Sequence, residues 1–282
     1  MKWTPVAYAY DGSFAGFLSC VFESYLRREE PMCFSAPEEE RISLYPERAV
    51  PTDAARARRV YASLAVRISP AGQALAARGF LTCLEERERL LYQFIRLGYQ
   101  RGSALLRDLT DHRVAALHRA VRHLNEEAHK YTGFVRFSDQ GGVLLAEIEP
   151  KNQVLPLLRG HFCARYNTEA FLIYDRTHRQ VLLHDPRGLA DQGNPGGRRW
   201  AILPAENFRA GVPGEEERAW RALWRRFYDT IAIEGRENER CRRTHMPKRY
   251  WNCMTEFQSD GAEALPGAGA AGRALLSQAE EL

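Results

Sequence analysis

The chain has 282 residues, of which 45% are hydrophobic and 27% are charged. That composition is typical of a folded globular protein and argues against a disordered or fibrous one. No apolar run reaches the length of a membrane span, and the N-terminus lacks the apolar core and cleavage site of a signal peptide, so we expect a cytoplasmic protein. The six cysteines show no metal-ligand spacing. This predicts reduced thiols, with neither a metal nor a cofactor.

The charge is unusual in kind rather than in amount. The net charge is only +4, but arginine supplies 36 of the 40 cationic side chains. A GC-rich genome explains such a bias without any function, whereas arginine also suits forked contacts with phosphate. Between residues 236 and 249, six Arg or Lys residues stand against two Glu, and Tyr250 and Trp251 follow. A basic segment beside aromatic residues is typical of nucleic-acid binders and also of solvated surfaces.

The first half of the chain is predicted to be mainly helical. Residues 3–10 are rich in aromatic residues and predict a strand that ends at the turn residues 11–13. Ser13 is placed to cap a helix that runs to about Arg28. A loop bounded by prolines is expected over 31–51. Further helices are predicted over 53–66, 71–79, 83–100 and 111–130.

After Tyr131 the apolar period changes from that of a helix to that of a strand. Strands over 133–137 and 143–149 flank a turn of the sequence Asp-Gln-Gly-Gly and predict a hairpin, with Ser138 opposite Val143. A helix over 153–162 starts near Pro156, where proline is tolerated. A second hairpin is predicted from residues 170–175 and 180–185, and a long amphipathic helix over 217–238 follows.

These elements predict an α+β fold: an N-terminal strand and helical region, then an antiparallel sheet in the order strand-strand-helix-strand-strand, and a long C-terminal amphipathic helix. We expect a single domain over 1–257. Its helical part covers about 11–130, its sheet part about 131–235, and its basic C-terminal segment 236–257. The Ala/Gly-rich stretch 258–282 is expected to be a flexible tail.

Several polar residues are candidates for a site, and each has a structural alternative. Arg136 and Glu147 are diagonal neighbours in the predicted hairpin, which fits a structural ion pair better than a site. His161 and Arg165 share a helix face, where they suit either a helix C-terminus or a phosphate. Asp175 and Arg179 bracket a turn, and we expect Asp175 to bond the backbone of its own loop.

The sequence contains none of the common catalytic motifs that we sought. These were the metalloprotease, phosphate-loop, dinucleotide-binding, nucleophile-elbow and deaminase patterns. The remaining acid/base and nucleophile candidates are His161, His129, Glu127 and Cys163.

Five segments carry a resemblance to one family. They are "YDGSFAGFLSCVFESY", "EEAHKYTGFVRF", "EIEPKNQVLPLLRGHFCARY", "LIYDRTHR" and "HMPKRYWNCMTEF", in chain order. Together they cover about residues 3–257. The chain resembles an uncharacterised family usually described as DNA metabolism or DNA repair proteins. Its members are encoded beside a radical SAM protein, and related domains are fused to a uracil-DNA-glycosylase-like domain.

The resemblance implies a link to DNA but no established reaction. We expect a stand-alone member without a glycosylase-like extension, so base-excision chemistry would have to reside elsewhere. The family pattern retains polar and aromatic residues in each of its motifs. In this sequence they are Asp11, Gly12, Phe14, His129, Lys130, Gly133, Arg136, Phe137, His161, Phe162, Arg165, Asp175, Arg179, Pro247, Arg249, Tyr250 and Trp251.

We therefore expect the cationic residues to converge on one anion-binding site beside the sheet. Three functions compete: a DNA-binding accessory of a radical SAM repair or modification enzyme, an enzyme acting on damaged DNA bases, and a scaffold for the radical SAM partner. In the first, phosphate contacts would give salt-sensitive affinity, and aromatic stacking would favour single-stranded or distorted DNA. The expected nucleic-acid-binding residues are Lys130, Arg136, Arg165, Arg240, Arg242, Arg243, Lys248, Arg249, Tyr250 and Trp251.

Overall fold

The computed structural model describes residues 3–37, 43–189, 199–206, 208, 214–231 and 238–257. The expected tail, 258–282, lies outside these residues, as does the last part of the predicted helix 217–238. The chain divides into two compact units, Met1–Leu124 and Asn125–Leu282. The single domain over 1–257 stays a prediction. Among the described residues, no helix combines the length and apolar composition that a membrane span requires.

The first unit is a three-stranded parallel sheet with helices. The strands stand in the order β2-β1-β3. Ser13 caps α1 as predicted, because its hydroxyl accepts a hydrogen bond from the backbone N–H of Gly16 at 2.9 Å. The elements are β1 (Thr4–Ala9), α1 (Phe14–Arg27), β2 (Glu29–Ser35), β3 (Glu47–Ala49), α2 (Ala54–Arg67), α3 (Pro70–Phe80), α4 (Arg87–Arg101), a 3₁₀ helix (Gly102–Arg107) and the start of α5 (His112–Phe134).

The loop expected over 31–51 is wrong, because this stretch supplies both edge strands of the sheet. β2 was not predicted because it contains Pro31, and proline argues against a central strand. Proline is tolerated in β2 because this strand lies at the edge of the sheet. The register shifts at this point, between Val6 and Ala7 of β1. The core of the first unit is largely aromatic. Phe17 packs within 5.8 Å, between ring centroids, of both Phe34 and Phe80.

The second unit holds a five-stranded sheet in the order β4-β5-β6-β7-β8. The predicted strand-strand-helix-strand-strand layout is confirmed, and β8 adds a strand to it. One pairing differs from the prediction: β5 and β6 run parallel, because α6 carries the chain back along the sheet between them. The elements are β4 (Ser138–Asp139), β5 (Leu144–Ile148), α6 (Leu155–Arg165), β6 (Phe171–Asp175), β7 (Gln180–His184), β8 (Trp200–Pro204), α7 (Glu215–Ile231), α8 (Glu239–His245) and two 3₁₀ helices (Lys248–Cys253 and Thr255–Phe257).

The strand predicted over 133–137 is wrong, since α5 continues to Phe134. Tyr131 and Phe134 stay helical because both rings pack against Tyr250, which local sequence does not reveal. The hairpin register also differs from the prediction. Ser138 lies opposite Leu145 rather than Val143, because the turn is formed by residues 140–143.

The two faces of this sheet are both covered. One face carries a cluster of buried apolar side chains that alternate along their strands, as the period of two requires. They are Leu145, Leu172, Tyr174, Val181 and Leu183. On the other face Phe171 packs against Phe162 of α6. The sheet thereby fixes the ends of β5 and β6, where the candidate site lies.

Candidate nucleic-acid interface

A buried carboxylate on α5 organises this part of the second unit. Glu127 is 2% exposed and lies on the same helix face as the buried residues Leu124 and Tyr131. Its oxygens accept hydrogen bonds from the backbone N–H of Lys151 at 3.2 Å and from Asn152 twice. The Asn152 backbone N–H lies at 2.9 Å and its side-chain amide at 2.6 Å. These three donors offset much of the cost of burying the charge.

The same carboxylate also faces the basic C-terminal segment. A terminal nitrogen of Arg249 lies 3.8 Å from Glu127 and donates a hydrogen bond to the hydroxyl of Tyr250 at 2.5 Å. Tyr250 is fully buried against Tyr131 and Phe134. Burial raises the pKa of Tyr250, although the hydrogen bond from Arg249 opposes that shift. The segment is therefore anchored to the unit through one buried ring and one ion pair.

The 3₁₀ helix Lys248–Cys253 presents three different faces, because residues three apart eclipse each other in this geometry. Tyr250 and Cys253 form the buried face. Lys248 and Trp251 form a second face, with the Lys248 ammonium 5.6 Å from the centre of the Trp251 ring. Arg249 and Asn252 form the third face and line a small cleft. A single short helix thus presents a buried face, a cationic face and a face that lines the cleft, with Cys253 of the buried face also at the cleft.

The second of these faces is completed by α8. Asn238 caps α8, since its side-chain oxygen accepts from the backbone N–H of Cys241 at 2.9 Å. The guanidinium of Arg242 lies 5.4 Å from the centre of the Trp251 ring. The indole N–H of Trp251 donates to the Met246 carbonyl at 3.0 Å, which holds the ring in place. We name the set Arg242, Lys248 and Trp251 the cation–tryptophan cluster.

The cluster has the electrostatics of an anion site. Arg242 and Lys248 are both exposed. Within the part of the chain that the structure describes, no carboxylate lies within ion-pair distance of either cation. The attraction of each cation to the ring contributes only about 0.5–1 kcal/mol at an exposed site. Both charges are therefore without an ion pair among the described residues, which suits contact with an anion.

The cleft lies at the carboxyl ends of the parallel strands β5 and β6. Glu149 follows β5 and Arg176 follows β6, and the backbone N–H of Arg176 donates to the Ile148 carbonyl at 3.0 Å. The Arg176 guanidinium lies 3.1 Å from Glu149 and 3.9 Å from Glu147. With Arg249 and Asn252 these side chains surround a cavity of about 20 Å³. Acceptor and donor groups therefore stand side by side in a space of about one water molecule.

The predicted residues at the other end of the site take separate partners. The guanidinium of Arg136 donates to the Gly133 carbonyl at 2.9 Å, so it caps the end of α5. Arg165 is exposed at the end of α6, with its guanidinium 5.8 Å from the centre of the Tyr166 ring. The residues next to these two arginines contact each other, because Phe137 packs against Tyr166 with a centroid distance of 4.9 Å.

The remaining cationic and histidine candidates lie on helix surfaces. Lys130 is partly exposed and His129 exposed on α5. His161 is exposed on α6 and meets the edge of Phe162 at a centroid distance of 4.9 Å. Among the described residues, neither imidazole has a hydrogen-bond partner that would set it up as an acid or base.

Two predictions about the basic segment change with the structure. Tyr250 does not offer a stacking surface, because its ring is buried in the unit. Arg243 forms an ion pair with Glu239 on the same helix, so part of its charge is already neutralised. Arg240 is exposed on α8. One face of Trp251 is covered by Phe257, with the rings stacked at 4.6 Å.

The turn prediction at the second hairpin is confirmed. Asp175 is buried and accepts from the backbone N–H groups of Thr177 and His178, each at 3.0 Å. Its other oxygen lies 2.7 Å from the His178 ring. Arg179 adopts a left-handed conformation with φ of 51°. Asp175 therefore shapes this turn through the backbone of its own loop.

Sequence reasoning missed Glu127 as an anchor, Asn152 as its partner, and Arg176 in the cleft. A signal for Glu127 existed, since it lies three residues after Leu124 and four before Tyr131 on the apolar face of α5. A carboxylate at such a position needs a partner. Nothing in the local sequence identifies Asn152 or Arg249 as that partner, because 25 residues separate Glu127 from Asn152.

The comparisons with known proteins identify one family. A search of curated proteins and a search of solved structures each found no match. A family model described as a domain of unknown function, DUF4130, matches residues 85–256. The matched region is more than half of the chain and contains the buried Glu127, the cleft and the cation–tryptophan cluster. The chain therefore belongs to the DUF4130 family.

Proposed function

We propose that the protein is a DNA-binding accessory protein of DNA repair or DNA metabolism, serving a radical SAM repair or modification enzyme. The observation that carries the DNA part is the cation–tryptophan cluster, in which two exposed cations converge on one anchored ring. The radical SAM part, and the link to uracil-DNA-glycosylase-like domains, are supported by the family resemblance of the sequence motifs.

The cluster suits a phosphate backbone better than a compact anion. Arg242 and Lys248 approach the Trp251 ring from different elements, α8 and the 3₁₀ helix. Arg240, exposed on α8, adds a third cation on the helix that carries Arg242. Such contacts neutralise phosphates and release counterions, so affinity falls steeply with salt but depends little on sequence. Three phosphate contacts would give a salt slope of about −2 for a single strand.

The experiment compares two variants with equal charge changes. Arg242→Ala combined with Lys248→Ala removes both cations of the cluster. Arg119→Ala combined with Arg122→Ala removes two exposed cations of α5 in the first unit. Binding of a fluorescent 12-mer is followed by anisotropy over a range of salt concentrations. The cluster variant is expected to bind about tenfold or more weakly, with the salt slope reduced by about 1.4 for a single strand.

The outcomes separate a site from general charge. If the two double variants weaken binding equally, the cluster has no special part in it. If the protein with all four side chains intact binds no DNA at low salt, the DNA-binding function itself is wrong. Thermal unfolding of each variant checks that the fold is retained.

A second candidate, a protein-interaction scaffold, is favoured by α7. This helix contacts its own unit through polar groups: Glu217 accepts from the backbone N–H of Asp139, and Arg221 bonds Ser138 and Glu217. Its apolar stripe points outward instead. Trp220, Leu223, Trp224 and Phe227 are between 43% and 61% exposed. Their spacing of three and four residues makes one continuous face.

A pull-down distinguishes the two functions. The protein is co-expressed with the radical SAM protein that the family resemblance places beside it, and the complex is captured with and without nuclease. A scaffold retains its partner after nuclease treatment and loses it when Trp220 and Phe227 become Ala. A DNA-bridged association is lost with the nuclease and is insensitive to those two substitutions.

A further inference from the structure

The cleft at the ends of β5 and β6 is not explained by phosphate binding. In open α/β sheets, ligands bind outside the carboxyl ends of the parallel strands. Here the pair β5 and β6 ends at Ile148 and Asp175, which lie opposite each other. The residues that follow, Glu149 and Arg176, line the cavity. The cleft therefore lies at the carboxyl end of a parallel strand pair within a mixed sheet.

The lining decides what kind of group fits. Glu147 and Glu149 bring two carboxylates to the cavity. Arg176 is shared between them, and its side chain is 56% exposed, so it can turn toward solvent. Arg176 and Arg249 balance these two carboxylates, so the lining offers no net positive charge to a phosphate, whereas the carboxylates accept hydrogen bonds from an N–H group. The volume of about 20 Å³ admits one small polar group rather than a whole ring.

The cleft and the cation–tryptophan cluster both use residues of the 3₁₀ helix Lys248–Cys253, on adjacent faces of it. Lys248 and Trp251 belong to the cluster, whereas Arg249 and Asn252 belong to the cleft. Because a 3₁₀ helix turns by one third of a circle per residue, the two faces are neighbours. A backbone phosphate on the first face brings the base of the same or the next nucleotide toward the second.

We propose that the cleft binds the amino edge of an unpaired nucleobase, an inference that rests on the proposed DNA-binding function. The carboxylates accept from the exocyclic amino group, and Asn252 and Arg249 donate to the neighbouring ring acceptor. Cytosine carries an amino group at this position, whereas thymine carries a carbonyl oxygen. In a duplex this edge is engaged in base pairing. The cleft therefore selects single-stranded DNA and prefers cytosine to thymine.

The test compares two pyrimidine homopolymers, because they differ little in charge and in size. Single-stranded 12-mers of deoxycytidine and deoxythymidine are titrated by anisotropy at one salt concentration. A hydrogen bond to a charged group predicts about tenfold tighter binding of the cytosine strand. Glu147→Ala combined with Glu149→Ala should bring the ratio of the two affinities close to one. The control Glu126→Ala, an exposed carboxylate of α5, should leave the ratio unchanged.

The ratio of the affinities for the cytosine and thymine strands is insensitive to general charge effects, because removal of any acidic group strengthens binding of both strands. Equal affinities for the two strands in the unaltered protein overturn the cleft proposal while leaving DNA binding intact. A preference that survives the double substitution also overturns it. Failure to bind either strand refutes the DNA-binding function instead. If the double variant does not fold, the exposed Asn252→Ala variant replaces it, with a reduced ratio expected.

Discussion

Replacement of Glu127 by Ala tests whether this buried carboxylate holds the second unit together. Three donors lose their acceptor, two of them on Asn152, which is 1% exposed. A buried donor left unsatisfied costs about 1–3 kcal/mol, so the two Asn152 groups together predict a loss of about 2–6 kcal/mol. Lys151 is exposed, and water replaces its lost acceptor. Removal of a buried charge returns part of this loss, so the lower half of the range is expected.

The free energy of unfolding is measured by urea titration with tryptophan fluorescence. Four of the five tryptophans, Trp200, Trp220, Trp224 and Trp251, follow residue 125, so the signal reports chiefly on the second unit. Glu127→Gln should cost only about 1 kcal/mol, because both Asn152 donors share one oxygen that a carboxamide can supply. The exposed neighbour Glu126→Ala is the control. A loss below about 0.5 kcal/mol for Glu127→Ala, the range of an ordinary surface substitution, would refute the anchoring role.

Three further predictions concern stability. The Arg187 guanidinium holds the pKa of the Asp185 carboxyl in the folded protein below its ordinary value of 3.8. The resulting stabilisation is present in full well above 3.8 and is lost as the pH falls from there through the lowered pKa of the folded state. Urea titrations at pH 6 and pH 3 compare the unaltered protein with Asp185→Asn. The difference in their free energies of unfolding should be smaller at pH 3, and an equal difference at both pH values contradicts this prediction. Phe17→Ala should cost about 3–5 kcal/mol in thermal or urea unfolding of the first unit, since its ring is fully buried; a cost below 1 kcal/mol would show that the aromatic core repacks. Ser13→Ala should cost about 1 kcal/mol through loss of the cap on Gly16, with Ser13→Asp retaining most of it.

Helices were the most predictable part of the fold. The cap at Ser13 and the apolar spacing placed α1 to α5 within a few residues of their observed bounds. Strands were less predictable, because their stability comes from partners elsewhere in the chain. β2 was missed since Pro31 resembles a loop residue, and the stretch 133–137 resembled a strand although Tyr250 holds its first residues in a helix.

The candidate site was predictable in composition but not in arrangement. The basic segment and its aromatic pair were visible in the sequence, and Trp251 with Arg242 and Lys248 does form one cluster. The separate roles of consecutive residues were not visible. They follow from the 3₁₀ geometry of 248–253, which buries Tyr250, exposes Lys248 and turns Arg249 toward the cleft.

The α+β class, the helical first half and the concentration of positive charge near residues 236–249 could be predicted without the structure, because these depend on local period and composition. Which of the charges are available depends on the fold. Arg136 caps a helix, Arg243 pairs with Glu239, and Arg249 faces a carboxylate 122 positions earlier in the chain. The physical reason is that a charge acts through its neighbours in space, and the fold selects those neighbours from distant parts of the sequence.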